Sequence, residues 1–378
     1  MKKLKVGSDF SGVGAFNQAL MRLGVQFEEV FACDMDKYAR DTFIHNYGEP
    51  KYYPTNVYER EIPSQSLDIY MTSPPCQAFS SAGKRLGKED KRGILFFNSH
   101  ELIQVNKPRF FIFENVKGLI SDDNGRTFQE WVNMLGGKSV NGVPVLFPYD
   151  DSVPYHLYWQ VLNAKHYGVP QNRERVFLIG IRDDADNRFQ FPREEHLSNR
   201  LKDVLEDEVS EEYFLKKKVD LRNSIIDSYD VVQLNECKES GGKQPYQQNR
   251  VYDSNGLCPA LNAGQITWGG NLVLYNIKRL NQTLQKHKLP KGEVRFVDSY
   301  NQSIHENSAC INARINATND RHLWDGYKIR RLTPRECFRL MDFPDTFTWK
   351  VSDSQAYKQA GNSIVVNVLY KILKQLPL

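Results

Sequence analysis

At 378 residues, 40% hydrophobic and 25% charged, the chain has the balance of a globular protein with room for two lobes, not of a disordered or fibrous one. It holds no apolar run near the roughly 20 residues a membrane-spanning helix needs, and Met1-Lys2-Lys3-Leu4-Lys5 leads into a strand rather than a secretory leader. The formal charge of +4 permits a polyanionic partner without demanding one, and six scattered cysteines (33, 76, 237, 258, 310, 337) with no CxxC pair argue against a disulfide framework or a metal site and for a reducing cytoplasm.

In chain order, residues 5–8 read as a short strand, then comes Asp9-Phe10-Ser11-Gly12-Val13-Gly14 and an amphipathic run to Leu23. Strand, glycine turn and helix is the unit that brings bare backbone close to a nucleotide-like ligand. A second strand, 27–33, ends at Asp34-Met35-Asp36 before a helix over 37–46. An acid at that exit suits a ribose diol, although Asp34 or Asp36 would equally serve as a helix cap. No GxGxxG completes the turn, which favours a single adenosine over a dinucleotide, with Phe10 offering a stacking face and Asn56 an amide for an adenine edge.

The buried-looking run 67–71 stops at Thr72-Ser73-Pro74-Pro75-Cys76-Gln77. Two prolines fix the backbone there and withdraw two donors, which holds Cys76 at a rigid strand exit. The polar stretch 77–97, with Lys84, Arg85, Lys88, Lys91 and Arg92, reads as a basic lid interleaved with Glu89 and Asp90. After a helix near 98–105, a strand over 109–113 runs into Glu114-Asn115-Val116. A carboxyl following four apolar residues is costly unless paired or protonated, so Glu114 is a candidate proton donor. Residues 127–135 are helical, and strands over 156–162 and 175–181 flank Gln171-Asn172-Arg173-Glu174-Arg175. Arg173 and Arg175, two apart on extended chain, share a side.

Beyond Arg182 the composition turns polar. Residues 203–212 form an acidic helix on this reading, 251–263 and 297–314 echo one another weakly, and 278–295 holds six Lys/Arg against Glu293, the best polyanion footprint. A helix follows over 330–344, stopped by Pro344. Gly361-Asn362 then reads as a turn into an apolar terminal helix that must dock, back on the first lobe.

The order of these segments resembles the cytosine-C5 DNA methyltransferases of bacterial and phage type. It rests on Phe10-Ser11-Gly12-Val13-Gly14, Pro74-Pro75-Cys76-Gln77, Glu114-Asn115-Val116, Gln171-Asn172-Arg173-Glu174-Arg175, Arg331-Leu332-Thr333-Pro334-Arg335-Glu336 and Gln359-Ala360-Gly361-Asn362-Ser363. The resemblance implies an α/β fold: a Rossmann-like lobe that binds S-adenosylmethionine on a mixed sheet, over residues 1–195 and 350–378, and a smaller irregular target-recognition domain with its hinge over 196–349. Carried over by position, Phe10, Gly12, Gly14, Asp34, Met35, Asn56, Val57, Pro74, Asn362 and Ser363 would line the cofactor. Cys76 would attack cytosine C6, Glu114 would protonate N3, Arg175 would bind O2, and Arg173 would steady the thiolate or a nearby phosphate. Asp34 stands where glutamate is usual, Asn56 where aspartate is usual, and Ser8 where aspartate often precedes the turn. No Thr-Leu pair is evident in the recognition stretch; Ala260-Leu261 and Cys310-Ile311 are two candidate replacements, and the assignment of base-reading residues stays open.

Implied partners are double-stranded DNA and a cognate restriction endonuclease on the same site. A monomer is expected, in the cytoplasm at the nucleoid, with no metal and no membrane. A tRNA cytosine-5 methyltransferase and a catalytically silent DNA-binding regulator on the same fold are the alternatives. A nicotinamide dehydrogenase would account for the first strand-turn-helix unit alone.

Overall fold

Short apolar runs alternating with amphipathic ones favour strands joined by helices, and the first lobe folds that way. In this computed structural model the residues described are 3–75, 94–185, 188–214 and 328–378, with short stretches between 230 and 323. The chain divides into two units, one of Met1–Asn199, Pro259–Thr267 and Cys337–Leu378, the other of Arg200–Cys258 and Trp268–Glu336.

The first unit is built on β1 (Leu4–Asp9), α1 (Ala15–Leu23), β2 (Phe27–Cys33), α2 (Lys37–Tyr47), β3 (Ile69–Thr72), α3 (Ile94–Asn106), β4 (Phe110–Val116) and α4 (Arg126–Leu135). There follow β5 (Ser139–Val140), β6 (Val143–Pro144), β7 (Tyr155–Asn163), β8 (Gln171–Asn172) and β9 (Glu174–Arg182). One sheet carries eight strands in the order β2-β1-β3-β4-β9-β7-β5-β6. From β2 to β4 the pairing is parallel, while β9 runs antiparallel to both β4 and β7. The sheet is therefore mixed. The chain leaves β1 first for β2 and then for β3 on its other side, and the strand ends on either side of such a reversal open a crevice.

Burial on both faces explains the unbroken apolar reading of β4, where Phe110, Phe111, Ile112 and Phe113 are all 0% exposed. On α4, Phe128, Trp131, Val132 and Leu135 recur at helical spacing and are buried. Trp131 stacks on Phe96 of α3 with ring centroids 4.2 Å apart and meets Phe113 edge-on at 5.8 Å. This aromatic layer fixes α3 and α4 over the centre of the sheet.

Three helices close the chain: α5 (Pro334–Leu340), α6 (Asp353–Asn362) and α7 (Val366–Leu373). The expected return of the terminal helix is observed. The apolar face of α7 packs on α1, and Arg22 of α1 pairs with Asp342 while bonding Asn367 at 3.2 Å. Helix α6 docks on α2: buried Gln359 donates to the Tyr38 carbonyl at 2.8 Å and accepts from Thr42 at 3.1 Å.

Four expectations are corrected. Strand β4 does not end before Glu114 but stays paired with β9 through Val116, because its last residues find partners at Phe177, Val176 and Arg175. The acidic helix over 203–212 is absent; only 3-10 turns form, at Leu201–Val204 and Glu211–Tyr213. Clustered like charges disfavour a helix there, and Asp203 and Glu206 instead serve the Arg200 amide and Thr333. The helix read over 330–344 covers only α5, and a strand, Lys328–Arg331, precedes it. Gly361 and Asn362 are the last residues of α6 rather than a turn leading into α7.

In the second unit, Leu272–Tyr275 pairs parallel with Val251–Tyr252 and antiparallel with Lys328–Arg331. Another strand, Phe296–Asp298, lies between Ser303–His305 and Arg321–Leu323. The segment Arg331-Leu332-Thr333-Pro334 acts as a helix start: Thr333 and Glu336 form a reciprocal cap at 3.2 and 2.8 Å, with Pro334 in the first turn. Both Glu336 oxygens also receive Arg330, at 2.6 and 2.7 Å, and both side chains are 0% exposed. Glu336→Gln therefore leaves a buried guanidinium without its counter-charge and is expected to cost about 3–5 kcal/mol. The check is the denaturant midpoint, with Arg330→Met/Glu336→Met regaining most of the loss; an unchanged midpoint in the single variant would refute it.

Candidate active site

The crevice gathers the exits of β1 to β4, and β1 enters it through an unusual turn. Phe10 (φ 56°), Gly12 (φ 54°) and Gly14 (φ 85°) all take left-handed backbone, a region costly for side chains other than glycine. A Cβ at Gly14 would meet the Tyr47 ring at 2.3 Å, whereas one at Gly12 would enter open space. Packing below and room above describe a backbone cradle. The turn is held in place from β2: Ser11 donates to the Cys33 carbonyl at 3.0 Å and its hydroxyl lies 3.2 Å from the Tyr53 hydroxyl.

Asp34 and Asp36, equal candidates in sequence, separate here. Asp36 caps α2 by accepting from Tyr38 and Ala39 at 2.9 and 3.3 Å, and Lys358 of α6 reaches it at 2.7 Å. These donors hold its carboxyl below the usual range, against the opposing effect of burial. Asp34 turns to the cradle, accepting from the Gly12 amide at 2.7 Å and the Asp36 amide at 2.8 Å. Burial pushes its pKa up in spite of those donors. Its first task is to lock two loops together, leaving one further acceptor position per oxygen for a diol. Met35 between them is 86% exposed.

Asn56 also has local work. Its oxygen accepts from the Tyr58 amide at 3.1 Å and its amide donates to Glu59 at 3.0 Å, while Val57 is buried beneath it. Such an Asx turn presents the residue at the surface of a fixed loop. Arg40 fastens the same loop, bonding the carbonyls of Tyr53 and Pro54 at 2.7 and 3.1 Å. The chemistry of this set fits an adenosyl group: a bare-backbone cradle, a carboxylate facing it and a loop amide.

At the exit of β3, buried Asn115 donates to the carbonyl of Pro74 at 3.0 Å. The Ser73 hydroxyl reaches the Phe10 carbonyl at 3.5 Å. Asn115 thus anchors the Pro-Pro platform, a role that motif reading missed. Its position beside Glu114 was the available signal. Cys76 itself, with the basic stretch that follows it through residue 93, lies outside the described residues.

Glu114 is 7% exposed, and Arg175 Nε lies 3.1 Å from its Oε1. Burial raises its pKa, while the charges of Arg175 and then Arg173 oppose the rise; the net direction is upward. Arg175 contacts the Glu114 carboxyl, and the charge of Arg173 acts on the same group. Arg173, however, is committed elsewhere. Its guanidinium donates to the carbonyls of Leu261 at 2.7 Å, Gly361 at 3.0 Å and Ser363 at 2.8 Å. Desolvation pushes its pKa down to about 9, which still leaves it charged at neutral pH. Arg173 ties the start of β9 to the end of α6, while the thiolate it was expected to steady belongs to Cys76. Asn362 is exposed at that helix end and Ser363 is buried next to it.

Leu261, offered as part of a base-reading pair, is 0% exposed, and its backbone is held by Gln171 and Arg173. Cys310-Ile311, the 278–295 footprint and most of the two echoing segments lie outside the described residues. No described helix is long and apolar enough to cross a membrane.

Residues 4–377 match the family model of the C-5 cytosine-specific DNA methylases. The orphan methyltransferase M.SPRI of Bacillus phage SPR is 33% identical, over 100% of this chain and 98% of its own. Type II methyltransferase M.HhaI of Haemophilus parahaemolyticus is 32% identical, over 96% of this chain and 91% of its own. A solved structure of a Spodoptera frugiperda DNMT2 mutant covers 99% of both chains with a TM-score of 0.63 at 18% identity, a likeness of fold alone. The fold is thus the α/β, Rossmann-like fold of a methyltransferase. The chain belongs to the C-5 cytosine-specific DNA methylase family, a family of enzymes that methylate cytosine at C5.

Proposed function

We propose that this protein transfers the methyl group of S-adenosylmethionine to C5 of a cytosine flipped out of a specific duplex DNA sequence, with Cys76 as nucleophile. The observation that carries the reading is the buried Glu114, 3.1 Å from Arg175, on the strand whose next residue, Asn115, holds the Pro74 carbonyl two residues before Cys76. Bound S-adenosylmethionine would supply an electrophilic methyl on a sulfonium; the backbone cradle, Asp34 and the Asn56 loop would hold its adenosine.

Cytosine C5 is too weak a nucleophile to react unaided. The Cys76 thiolate adds to C6 while Glu114, whose pKa burial raises, gives a proton to N3. The added electron pair then resides on C5, which would take the methyl group as the broken S–CH3 bond pair returns to sulfur, leaving a neutral thioether. Loss of the C5 proton to a base and elimination of the thiolate restore the aromatic ring, and Glu114 recovers the N3 proton. Arg175, next to Glu114, binds O2 and balances negative charge on the ring. Because C6 is inaccessible within a stacked duplex, the base must leave the helix first. Residues of the second unit would read the flanking sequence, at the nucleoid in the cytoplasm.

Tritiated methyl transfer to duplex DNA, with tRNA as the competing acceptor, tests this proposal. Incorporation into cytosine of DNA is expected. Transfer to tRNA alone, or to neither acceptor, would overturn it.

A further inference from the structure

Beneath the cofactor cradle lies a charged cluster that the proposed mechanism does not use. Asp9, the last residue of β1, is 1% exposed, and Arg60, in the loop that carries Asn56, is 7% exposed. Arg60 Nε lies 3.0 Å from Asp9 Oδ1, in a contact that is charge pairing rather than an aligned hydrogen bond. The other Asp9 oxygen accepts from the Tyr70 hydroxyl of β3 at 2.6 Å. Arg60 Nη2 donates to the carbonyl of Asn98 in α3 at 3.1 Å, and its guanidinium carbon stands 5.7 Å from the centre of the Phe31 ring of β2. Burial pushes the Asp9 carboxyl up, and Arg60 and then Tyr70 pull it back.

Two buried charges are a weak device for stability, since well-packed apolar side chains often serve as well. Their placement is what stands out. Asp9 is the residue before Phe10 and the cradle. Arg60 lies four residues after Asn56, on a loop without regular secondary structure to fix its height. Helix α3 is the next described element after the Cys76 segment in the chain. One guanidinium therefore spans the backbone that forms the cradle, the loop meant for adenine and the first turns of α3.

We infer that Arg60, paired with Asp9, is a positioning residue for the cofactor: it sets the adenine-side loop against the glycine cradle without touching the ligand. The inference rests on the reading of the crevice as an S-adenosylmethionine site. A residue of this kind governs affinity for the cofactor more than the chemical step, because it determines the spacing of two contact surfaces and not the reacting atoms.

The test uses the full chain, S-adenosylhomocysteine as the probe, calorimetric binding without DNA, and thermal unfolding. Arg60→Met should lower both melting temperature and affinity, as any buried charge left unpaired would. Two further variants isolate the role. Asp9→Leu/Arg60→Met removes both charges and should regain the melting temperature while binding stays weaker on the order of tenfold. Arg60→Lys keeps the charge opposite Asp9 but loses the fork that also reaches Asn98, and should fold normally with a weakened affinity in the same direction. In both variants the rise should appear in KM for S-adenosylmethionine, with kcat at saturation and KM for DNA close to wild type. Wild-type affinity in either variant that folds overturns the inference, and so does a loss confined to kcat. A wild-type chain that binds no S-adenosylhomocysteine overturns the cofactor reading beneath it, which is a distinct result.

Discussion

Cys76→Ser is expected to abolish methyl transfer to DNA while cofactor affinity stays near that of the wild type. Oxygen is far less nucleophilic than a thiolate, and a serine hydroxyl stays protonated at neutral pH, so addition at C6 fails. The cradle and Asp34 belong to the exits of β1 and β2, the Asn56 loop lies between α2 and β3, and none depends on the sulfur. DNA carrying 5-fluorocytosine gives the sharper readout. Fluorine at C5 cannot leave as a proton does, so the wild-type chain should remain covalently attached to methylated DNA and run as a shifted band on a denaturing gel. Cys76→Ser should form no such band. Its persistence would assign the nucleophile to another residue and end the mechanism proposed.

Glu114→Gln should slow transfer at least about 100-fold, the range for loss of a positioned general acid. Glutamine fills the same volume and keeps an oxygen for Arg175, so the fold should survive. It cannot hand a proton to N3. Burial raises the pKa of Glu114, so the carboxyl keeps its proton to a higher pH than a free glutamate and loses it as pH passes the raised value. Turnover by the wild type should therefore fall on the alkaline side as Glu114 ionises, and the Gln variant, with no such proton to lose, should lack that limb. The same shift has a stability consequence of fixed sign. Between the unfolded and the raised folded pKa, the native state binds more protons than the unfolded one, so this residue's contribution declines as pH rises through that window. Near-normal turnover of Glu114→Gln, or an unchanged alkaline limb, would remove Glu114 from the acid role.

Much of the architecture was legible because it is written in local chemistry. The apolar runs of β1, β2, β4, β7 and β9 and the helical spacing of α1, α2 and α4 lie close to where periodicity places them. The errors arose where a partner distant in sequence decides. Glu114 looked like the residue after a strand, yet β9 extends the pairing past it. Residues 203–212 have the composition of a helix, but Asp203 and Glu206 are engaged by the Arg200 amide and the Thr333 hydroxyl. Gly361-Asn362 has the dipeptide of a turn and closes a helix instead, with the Gly361 carbonyl already taken by Arg173.

The candidate site divides along the same line. Sequence alone determined which chemical groups are present and in what order: a glycine turn after a strand, acids after the next, a cysteine behind two prolines, a carboxyl at the end of an apolar run, two arginines on extended chain. It left open what each of them faces. Only the tertiary structure turned Asp34 to the Gly12 amide and Asp36 to its helix, spent Arg173 on three carbonyls, set Arg175 against Glu114, and joined Asp9 to Arg60 across 51 positions of chain. The physical reason is that a side chain's type fixes its capacity to donate, accept or carry charge, whereas the partner that consumes that capacity is brought in by strand order and burial.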